Sequence, residues 1–278
     1  MQQESISDKA FKTLIYLFCI VVLILTGFPL LFLLFNSFKS LPEYMMNIWA
    51  PPKKVFFGNY QLVLAPTFLR YFINSLIVSV SGVTIVILVS SLMAYVFAKF
   101  SFKVTNGIFF LVVAGMMIPI HTTLIPIYSM SINIGVYDTL FALIGPYVSF
   151  NIPVSVFIMT QFFKEMPKEL DEAAMIDGGT HFLIYRKIVM PLSGPAVSTV
   201  GVYTFLTMWN EFIYALVMID TRSKKTLSLG IRDFYGFQTI NIPAVLTAIL
   251  VGSLPVLIFY FVAQDRVING LTQGALKG

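Results

Sequence analysis

One carboxylate stands apart from the other ionisable side chains of this sequence. Glu211 follows Trp209 and Asn210 inside an apolar run, roughly 12 Å from the outer end of that run by helical rise. A charged side chain near the bilayer midplane costs about 2.5 to 3.5 kcal/mol, so Glu211 should face a bundle interior or water. An aromatic ring beside polar groups suits sugar rings along a translocation path. A polar clamp that holds a kinked helix against a partner is the equally open alternative.

Residue patterns for covalent chemistry are missing from the sequence. His121 and His181 are the only histidines and Cys19 is the only cysteine, which excludes a cysteine metal cluster and a disulfide within the chain. No G-x-x-x-x-G-K-[ST] loop occurs to cradle nucleotide phosphates. No nucleophile and base share one membrane depth, as a membrane enzyme would need. We therefore predict a non-catalytic chain with no cofactor and no metal of its own.

The most specific polar segment is 164–194. Pro167 can begin a helix, three acidic residues follow it, and Gly178-Gly179 can end it in a left-handed conformation. Such a helix of about three turns, roughly 16 Å long, is too short and too charged to cross a membrane. Thr180 can cap a second helix that ends at Pro191. Physical reasoning alone favours a connector that returns the chain to the membrane, with a helix that docks in a partner's cleft as the alternative.

The composition places these segments in a membrane. Of 278 residues, 58% are hydrophobic and 11% are charged, against roughly 45 to 50% and about 25% in soluble domains. Six apolar runs can each cross a hydrocarbon core of about 30 Å. The sequence thus predicts an all-α membrane protein with tails at 1–13 and 264–278. The predicted transmembrane helices are 14–35, 72–98, 107–128, 139–162, 195–219 and 243–263.

Basic residues predict the orientation. The first tail and the loop near 99–106 each carry two lysines, whereas the loop near 129–138 has no basic residue. Because Lys and Arg favour cytoplasmic loops, both termini are predicted in the cytoplasm. The longer outer segments, 36–71 and 220–242, are also basic and oppose this assignment. The net charge of +5 is assigned to loops and helix ends, and no nucleic-acid partner is predicted.

Helix breakers inside three runs predict interruptions. Gly115, Pro119 and Pro126 lie in the third run, Asn151–Pro153 in the fourth and Pro255 in the sixth. Backbone groups freed at membrane depth are tolerated only where protein or a water-filled path satisfies them. Ordinary kinking explains any single proline, but three kinked spans together favour a moving bundle or a pathway.

The segment from Glu172 to Gly178, with Ile188-Val189-Met190-Pro191 after it, resembles the EAA loop of ABC importer permeases. In that family the loop forms a coupling helix that docks in a cleft of the cytoplasmic ATPase. Met190 replaces the usual leucine, and Gly179 stands where alanine is common. The resemblance implies coupling roles for Glu172, Ala173, Ala174, Asp177, Gly178, Ile188 and Pro191.

Further motifs, in order along nearly the whole chain, resemble the shorter permease of maltose-type carbohydrate importers. These are Asn36–Ser40, Asn59-Tyr60, Met117–Pro119, Ile125–Tyr128, Trp209–Phe212 and the ending Asn269–Gly278. The resemblance implies a bacterial plasma-membrane complex with a second homologous permease and two copies of an ATPase that bind ATP and Mg. It also implies an extracytoplasmic sugar-binding protein that meets the loop 220–242 and delivers a carbohydrate, with an oligosaccharide as the first expectation. The C-terminal tail is expected to reach the ATPase.

The sequence leaves two alternatives open. An ABC permease for another polar solute would share every motif named above. A secondary carrier that works alone would need intramembrane ionisable pairs and an inverted repeat, and the sequence shows neither.

Overall fold

The structure, a computed structural model, describes residues 6–234 and 241–275, with side chains for 11–234 and 241–264. Every regular element in those ranges is helical, which confirms the predicted all-α fold class. Within these ranges, four helices are long and apolar enough to cross a membrane, or up to six spans are present if each of two bent helix pairs counts as one. The α-helices are α1 (Ile6–Ser37), α2 (Leu41–Met46), α3 (Gly58–Val63), α4 (Pro66–Lys99), α5 (Thr105–Ala114), α6 (Leu124–Asn133), α7 (Phe141–Glu165), α8 (Lys168–Ile176), α9 (His181–Ile184), α10 (Met190–Leu192), α11 (Gly194–Asn210), α12 (Ile213–Met218), α13 (Leu227–Ile231) and α14 (Ile242–Ala275).

Two compact units are formed, one by residues 1–66 with 231–253 and one by 67–230 with 254–278. In the first unit a buried lysine orders the chain after α1. The Nζ of Lys39 donates hydrogen bonds to Asn36 Oδ1 at 2.9 Å and to the carbonyl oxygens of Asn47 at 2.8 Å and Ile48 at 3.1 Å. Burial lowers the pKa of Lys39 from its ordinary value, and the charge of Glu43 opposes that shift.

The same unit is held together by buried polar side chains. The Asn59 side chain donates to the carbonyl oxygens of Ser37 at 2.9 Å and Lys39 at 2.8 Å. The Ser37 hydroxyl lies 2.8 Å from that of Tyr60, and the Thr247 hydroxyl donates to the Ser37 carbonyl at 3.3 Å. The first motif of the resemblance therefore has a structural role, because its polar groups fold the segment that follows α1.

In the second unit α7 packs against α5, α11 and α12. The predicted interruption at Asn151–Pro153 is not seen, because α7 continues through Pro153. Nearby side chains donate to carbonyls of the same helix: Asn151 to Tyr147 at 2.8 Å and Ser155 to Asn151 at 2.7 Å. These bonds reinforce the helix on either side of Pro153. α14 likewise continues through Pro255 and extends to Ala275, through most of the predicted tail 264–278.

The third predicted span, 107–128, is two helices rather than one. α5 ends at Ala114, two 3-10 turns follow at Gly115–Met117 and Ile120–Thr123, and the flanking segments meet at 91°. Pro119 is extended between the two turns (φ −63°, ψ 123°). The predicted breakers therefore act at 115–123, whereas Pro126 lies in the first turn of α6, where proline is tolerated.

The fifth predicted span, 195–219, is also divided. α11 ends at Asn210, Glu211 is extended (φ −65°, ψ 131°), and α12 begins at Ile213. The sequence does not predict this break, because no proline or glycine lies near it. Before α11, a helical segment from His181 to Leu192 contains a π turn and meets α11 at 74°.

Candidate functional site

α8 ends where the glycines predict. Gly178 is left-handed (φ +78°), its N–H donates to the Met175 carbonyl at 3.0 Å, and the Gly179 N–H donates to the Ala174 carbonyl at 2.8 Å. These two bonds form a Schellman motif, which satisfies carbonyls that the helix end would leave without donors. At the other end, Pro167 lies one position before the helix and not at its first residue as predicted.

The predicted coupling residues lie on an accessible segment. Glu172, Ala173, Asp177 and Gly178 are exposed on or just after α8, and Ala174 is half-buried. Sequence reasoning missed Ile176, an apolar side chain that is 86% exposed, although its place between motif residues was a signal. Two predicted residues lie further along the chain: Ile188 is half-buried in the π turn, and Pro191 is exposed in α10.

An ion pair joins α8 to α4. The Nζ of Lys99 lies 2.7 Å from a carboxylate oxygen of Asp171. The pair borders a polar groove of about 560 Å³, which Lys103, Lys168 and Glu172 also line. Charged residues of both signs thus line the groove, and some of them also lie on the exposed face of α8.

The helical segment after α8 has its own contacts with α4. Thr180 caps α9 as predicted, with its hydroxyl oxygen 3.4 Å from the Leu183 N–H nitrogen. The Tyr185 hydroxyl lies 2.7 Å from that of Ser91, which is buried on α4. These bonds fix the segment that connects α8 to α11.

Glu211 closes the break between α11 and α12. Its Oε1 accepts the Tyr214 N–H at 2.8 Å, and its Oε2 accepts the Ala215 N–H at 3.2 Å. The Tyr147 hydroxyl on α7 donates to the same Oε2. Because the first-turn N–H groups of a helix lack partners within that helix, this carboxylate satisfies two donors that the break exposes. The Ser228 hydroxyl donates to the Glu211 carbonyl at 2.6 Å.

The neighbours of Glu211 face different environments. Trp209 is buried, stacks on Phe205 with ring centroids 5.4 Å apart, and meets the ring of Phe72 edge-on at 5.5 Å. Asn210 is exposed and donates to the Leu206 carbonyl of its own helix at 2.9 Å. The three predicted path residues do not form one lining surface, and their role in translocation stays a prediction. Within this chain the Glu211 carboxylate holds the start of α12 against α7, whereas the sequence left open a clamp against a partner.

A carboxylate in the loop before α7 holds the segment after α12. Asp138 Oδ1 accepts the N–H groups of Asp220 and Thr221, each at 2.9 Å, and Oδ2 lies 2.9 Å from the Nζ of Lys224. Burial acts to raise the pKa of Asp138. Hydrogen bonds from Thr221, Lys224 and Asp220 outweigh burial and hold that pKa well below its ordinary value of 3.8.

The same segment is bonded to α4. The Asn74 side chain donates to the carbonyl oxygens of Ser223 at 3.0 Å and Lys225 at 2.9 Å, and Arg222 Nε donates to the Tyr71 hydroxyl at 3.2 Å. Basic residues of the loop 220–242, which is predicted to meet the binding protein, therefore take part in the internal folding of that loop. Residues 235–240 of the loop lie outside the described residues.

Over residues 86–272 the chain matches the family described as "Binding-protein-dependent transport system inner membrane component". It is 43% identical over 271 residues to a protein of Caldicellulosiruptor sp. (strain Rt8B.4) named as an ABC transporter permease, covering 97% of this chain and 98% of that protein. It is 31% identical over 272 residues to the trehalose/maltose transport system permease protein MalG of Thermococcus litoralis, covering 96% and 97%. A chain of a bacterial ABC transporter involved in the import of the acidic polysaccharide alginate aligns with a TM-score of 0.82 at 21% identity, covering 95% of this chain and 99% of that chain, and shares its fold.

Proposed function

Because this chain belongs to the family of binding-protein-dependent transport system inner membrane components, we propose that it is a permease subunit of an ATP-driven carbohydrate importer. The family membership confirms the resemblance seen in the EAA segment. One observation carries the proposed coupling role: α8 is a short, exposed helix, ended by a Schellman motif and tied to α4 by the Lys99–Asp171 ion pair.

In the proposed complex this chain pairs with a second homologous permease, and α8 docks in a cleft of one of two ATPase subunits. ATP and Mg bind to those ATPases, and this chain holds no cofactor. Closure of the ATPase pair moves α8 as a rigid lever, and the two permeases then alternate between inward and outward opening. The exposed Ile176 supports docking, because burying an apolar side chain on association lowers the free energy.

The proposed orientation places both termini and α8 in the cytoplasm. The basic residues of the outer segments oppose it in the sequence. Two of them have structural partners, because Lys39 is fully buried among three acceptors and Lys224 is paired with Asp138. The lysines of the first tail and of the loop near 99–106 support the proposed orientation, since basic residues in short loops near span ends favour the cytoplasm.

The proposed cargo is a carbohydrate delivered by an extracytoplasmic binding protein, with an oligosaccharide as the first expectation. The relative from Thermococcus litoralis is named for trehalose and maltose. That likeness extends over nearly the full length of both chains and supports the carbohydrate class. An ABC permease for another polar solute is the second candidate.

A secondary carrier has less support from the site. Proton coupling needs a carboxylate that can bind and release a proton during transport. Glu211, the carboxylate predicted inside a span, already accepts hydrogen bonds from Tyr147, Tyr214 and Ala215. These three bonds give the Glu211 carboxylate a structural role at the start of α12, which favours the ATP-driven mechanism over proton coupling.

The proposal is tested by reversing the charge of Glu172. The Glu172→Lys chain should insert normally but lose ATPase subunits when the complex is purified in mild detergent from native membranes. Uptake of labelled maltose and of labelled longer malto-oligosaccharides should fall to background. The matched control is Glu165→Lys, which makes the same change at the exposed end of α7.

The outcomes separate the candidates. Loss of ATPase with Glu172→Lys, and retention with Glu165→Lys, would support the coupling role. A wild-type chain that purifies without any ATPase and still moves solute in proteoliposomes would overturn the proposal in favour of a secondary carrier.

A further inference from the structure

The break between α5 and α6 and the break between α11 and α12 meet at one side chain. Tyr214 lies in the first turn of α12, just after the break at Glu211–Phe212. Its hydroxyl lies 2.7 Å from the Thr123 Oγ1 and donates to the Ile120 carbonyl at 3.0 Å. Both partners belong to the 3-10 turn that precedes α6, inside the other break.

We propose that Tyr214 is a positioning residue that joins the two breaks into one hinge, so that the backbone at 115–123 and at 211–213 changes shape together. Both ends of the residue are fixed. Its N–H is held by Glu211, while its side chain is fully buried with the ring 5.6 Å from that of Phe150. A movement at one of these breaks must therefore either disrupt the contacts of Tyr214 or move the other break with it.

Further contacts join the helices that follow the breaks. The Ser131 hydroxyl on α6 lies 3.6 Å from the Met218 sulfur on α12, and the Asp138 N–H, in the loop after α6, donates to the Met218 carbonyl at 3.0 Å. With the bonds of Tyr214, contacts to the chain around α6 are thus made at both the start and the end of α12. Such a pair moves as one body more readily than as two separate helices.

α7 contacts both breaks from one side. A Cβ atom at Gly115 would lie 3.1 Å from the Pro153 Cγ, so the first break lies against α7. Tyr147, also on α7, donates to Glu211 at the second break. The continuous helix α7 therefore supports two short segments whose 3-10 and extended conformations can absorb a bend, as hinges between rigid helices do.

Hydrogen exchange on the purified full-length complex tests the link. Tyr214→Phe keeps the ring and the N–H bond but removes the hydroxyl. Amides at 115–124 should exchange about fivefold faster, the ratio for a hydrogen bond of ordinary strength. Tyr203→Phe is the matched control, because Tyr203 is exposed on α11 and away from both breaks. It should leave exchange at both breaks unchanged.

A second variant approaches the link from the other side. Thr123→Val should raise exchange at 211–215, although the substitution is on the far break. The double variant should exchange no faster than the faster of the two single variants. Changes confined to the substituted helix in both single variants would overturn the proposal.

The hinge's part in transport rests on the proposed function. Uptake by Tyr214→Phe should fall while ATPase association is kept. The exchange result does not depend on cargo or on ATP. If Tyr214→Phe leaves exchange at both breaks unchanged, the hinge is contradicted and the Glu172→Lys test still stands. If the importer assignment fails, hydrogen exchange still measures the contact between the two breaks.

Discussion

The ammonium group of Lys99 and the carboxylate of Asp171 form an ion pair, 2.7 Å apart, between the last turn of α4 and the first turn of α8. The two side chains are only 11% and 14% exposed. Because little water reaches the pair, salt screens it less than a surface pair. It connects the candidate coupling helix directly to a long apolar helix.

Removing one member of this pair should loosen α8. Lys99→Met leaves a mostly buried carboxylate without its cation, at a cost between the ~1 kcal/mol of an exposed pair and the ~3 to 5 kcal/mol of a fully buried one. We expect a lower unfolding temperature and less ATPase in the purified complex. The reversed pair, Lys99→Asp with Asp171→Lys, should recover part of both losses. No recovery would show that the individual side chains matter more than their attraction.

Gly178 should not tolerate a side chain. At φ +78° a Cβ costs about 1 to 2 kcal/mol, so Gly178→Ala should fray the end of α8 and reduce ATPase association. Gly107→Ala is the control, because nothing lies within 4 Å of its added Cβ in α5. There the change should be neutral or stabilising. Equal ATPase recovery from both variants would contradict a role for the left-handed stop.

Gly179 illustrates what the sequence could predict. Paired glycines after a charged helix predict a left-handed stop, and the structure has one. The resemblance also marked Gly179 as a departure from alanine. In the conformation of this chain a Cβ at that position would lie 2.7 Å from the Ala174 carbonyl oxygen, so alanine would require the backbone to shift. Local backbone rules are sufficient for such a feature, because all of its atoms lie within a few residues.

The break at Glu211 shows what the sequence could not predict. Helix breaks are recognised from proline and glycine, and neither is present there. The break is satisfied by a carboxylate that also needs Tyr147, 64 residues away. Lys39 is similar, since a lysine in a polar segment predicts exposure, yet its three acceptors bury it. These features depend on tertiary contacts that periodicity and propensity do not encode.

Asp138 should make stability depend on acid pH. Its pKa in the folded chain lies well below 3.8, so the folded state binds its proton less readily than the unfolded state. The contribution of Asp138 to the free energy of unfolding is fully present above the pKa that this carboxyl has in the unfolded chain. It is lost as the pH falls below about 4. The unfolding temperature of the wild type should drop over that range more than that of Asp138→Asn. Parallel curves for the two proteins would contradict the assignment.

Glu211→Ala should destabilise the α11–α12 break. It removes the acceptor for two N–H groups and for the Tyr147 hydroxyl, and each unsatisfied buried donor costs about 1 to 3 kcal/mol. Glu211→Gln keeps one acceptor oxygen but places an amide donor against the start of α12, so it should recover only part of the loss. Asn210→Ala is the control, because the bond of that exposed side chain in the described part of the chain lies within α11. The unfolding temperature should be highest for Asn210→Ala, lower for Glu211→Gln and lowest for Glu211→Ala. All three variants should keep their association with the ATPase. If Glu211→Ala were as stable as the wild type but failed to transport, the carboxylate would act on the translocation path and not as a clamp.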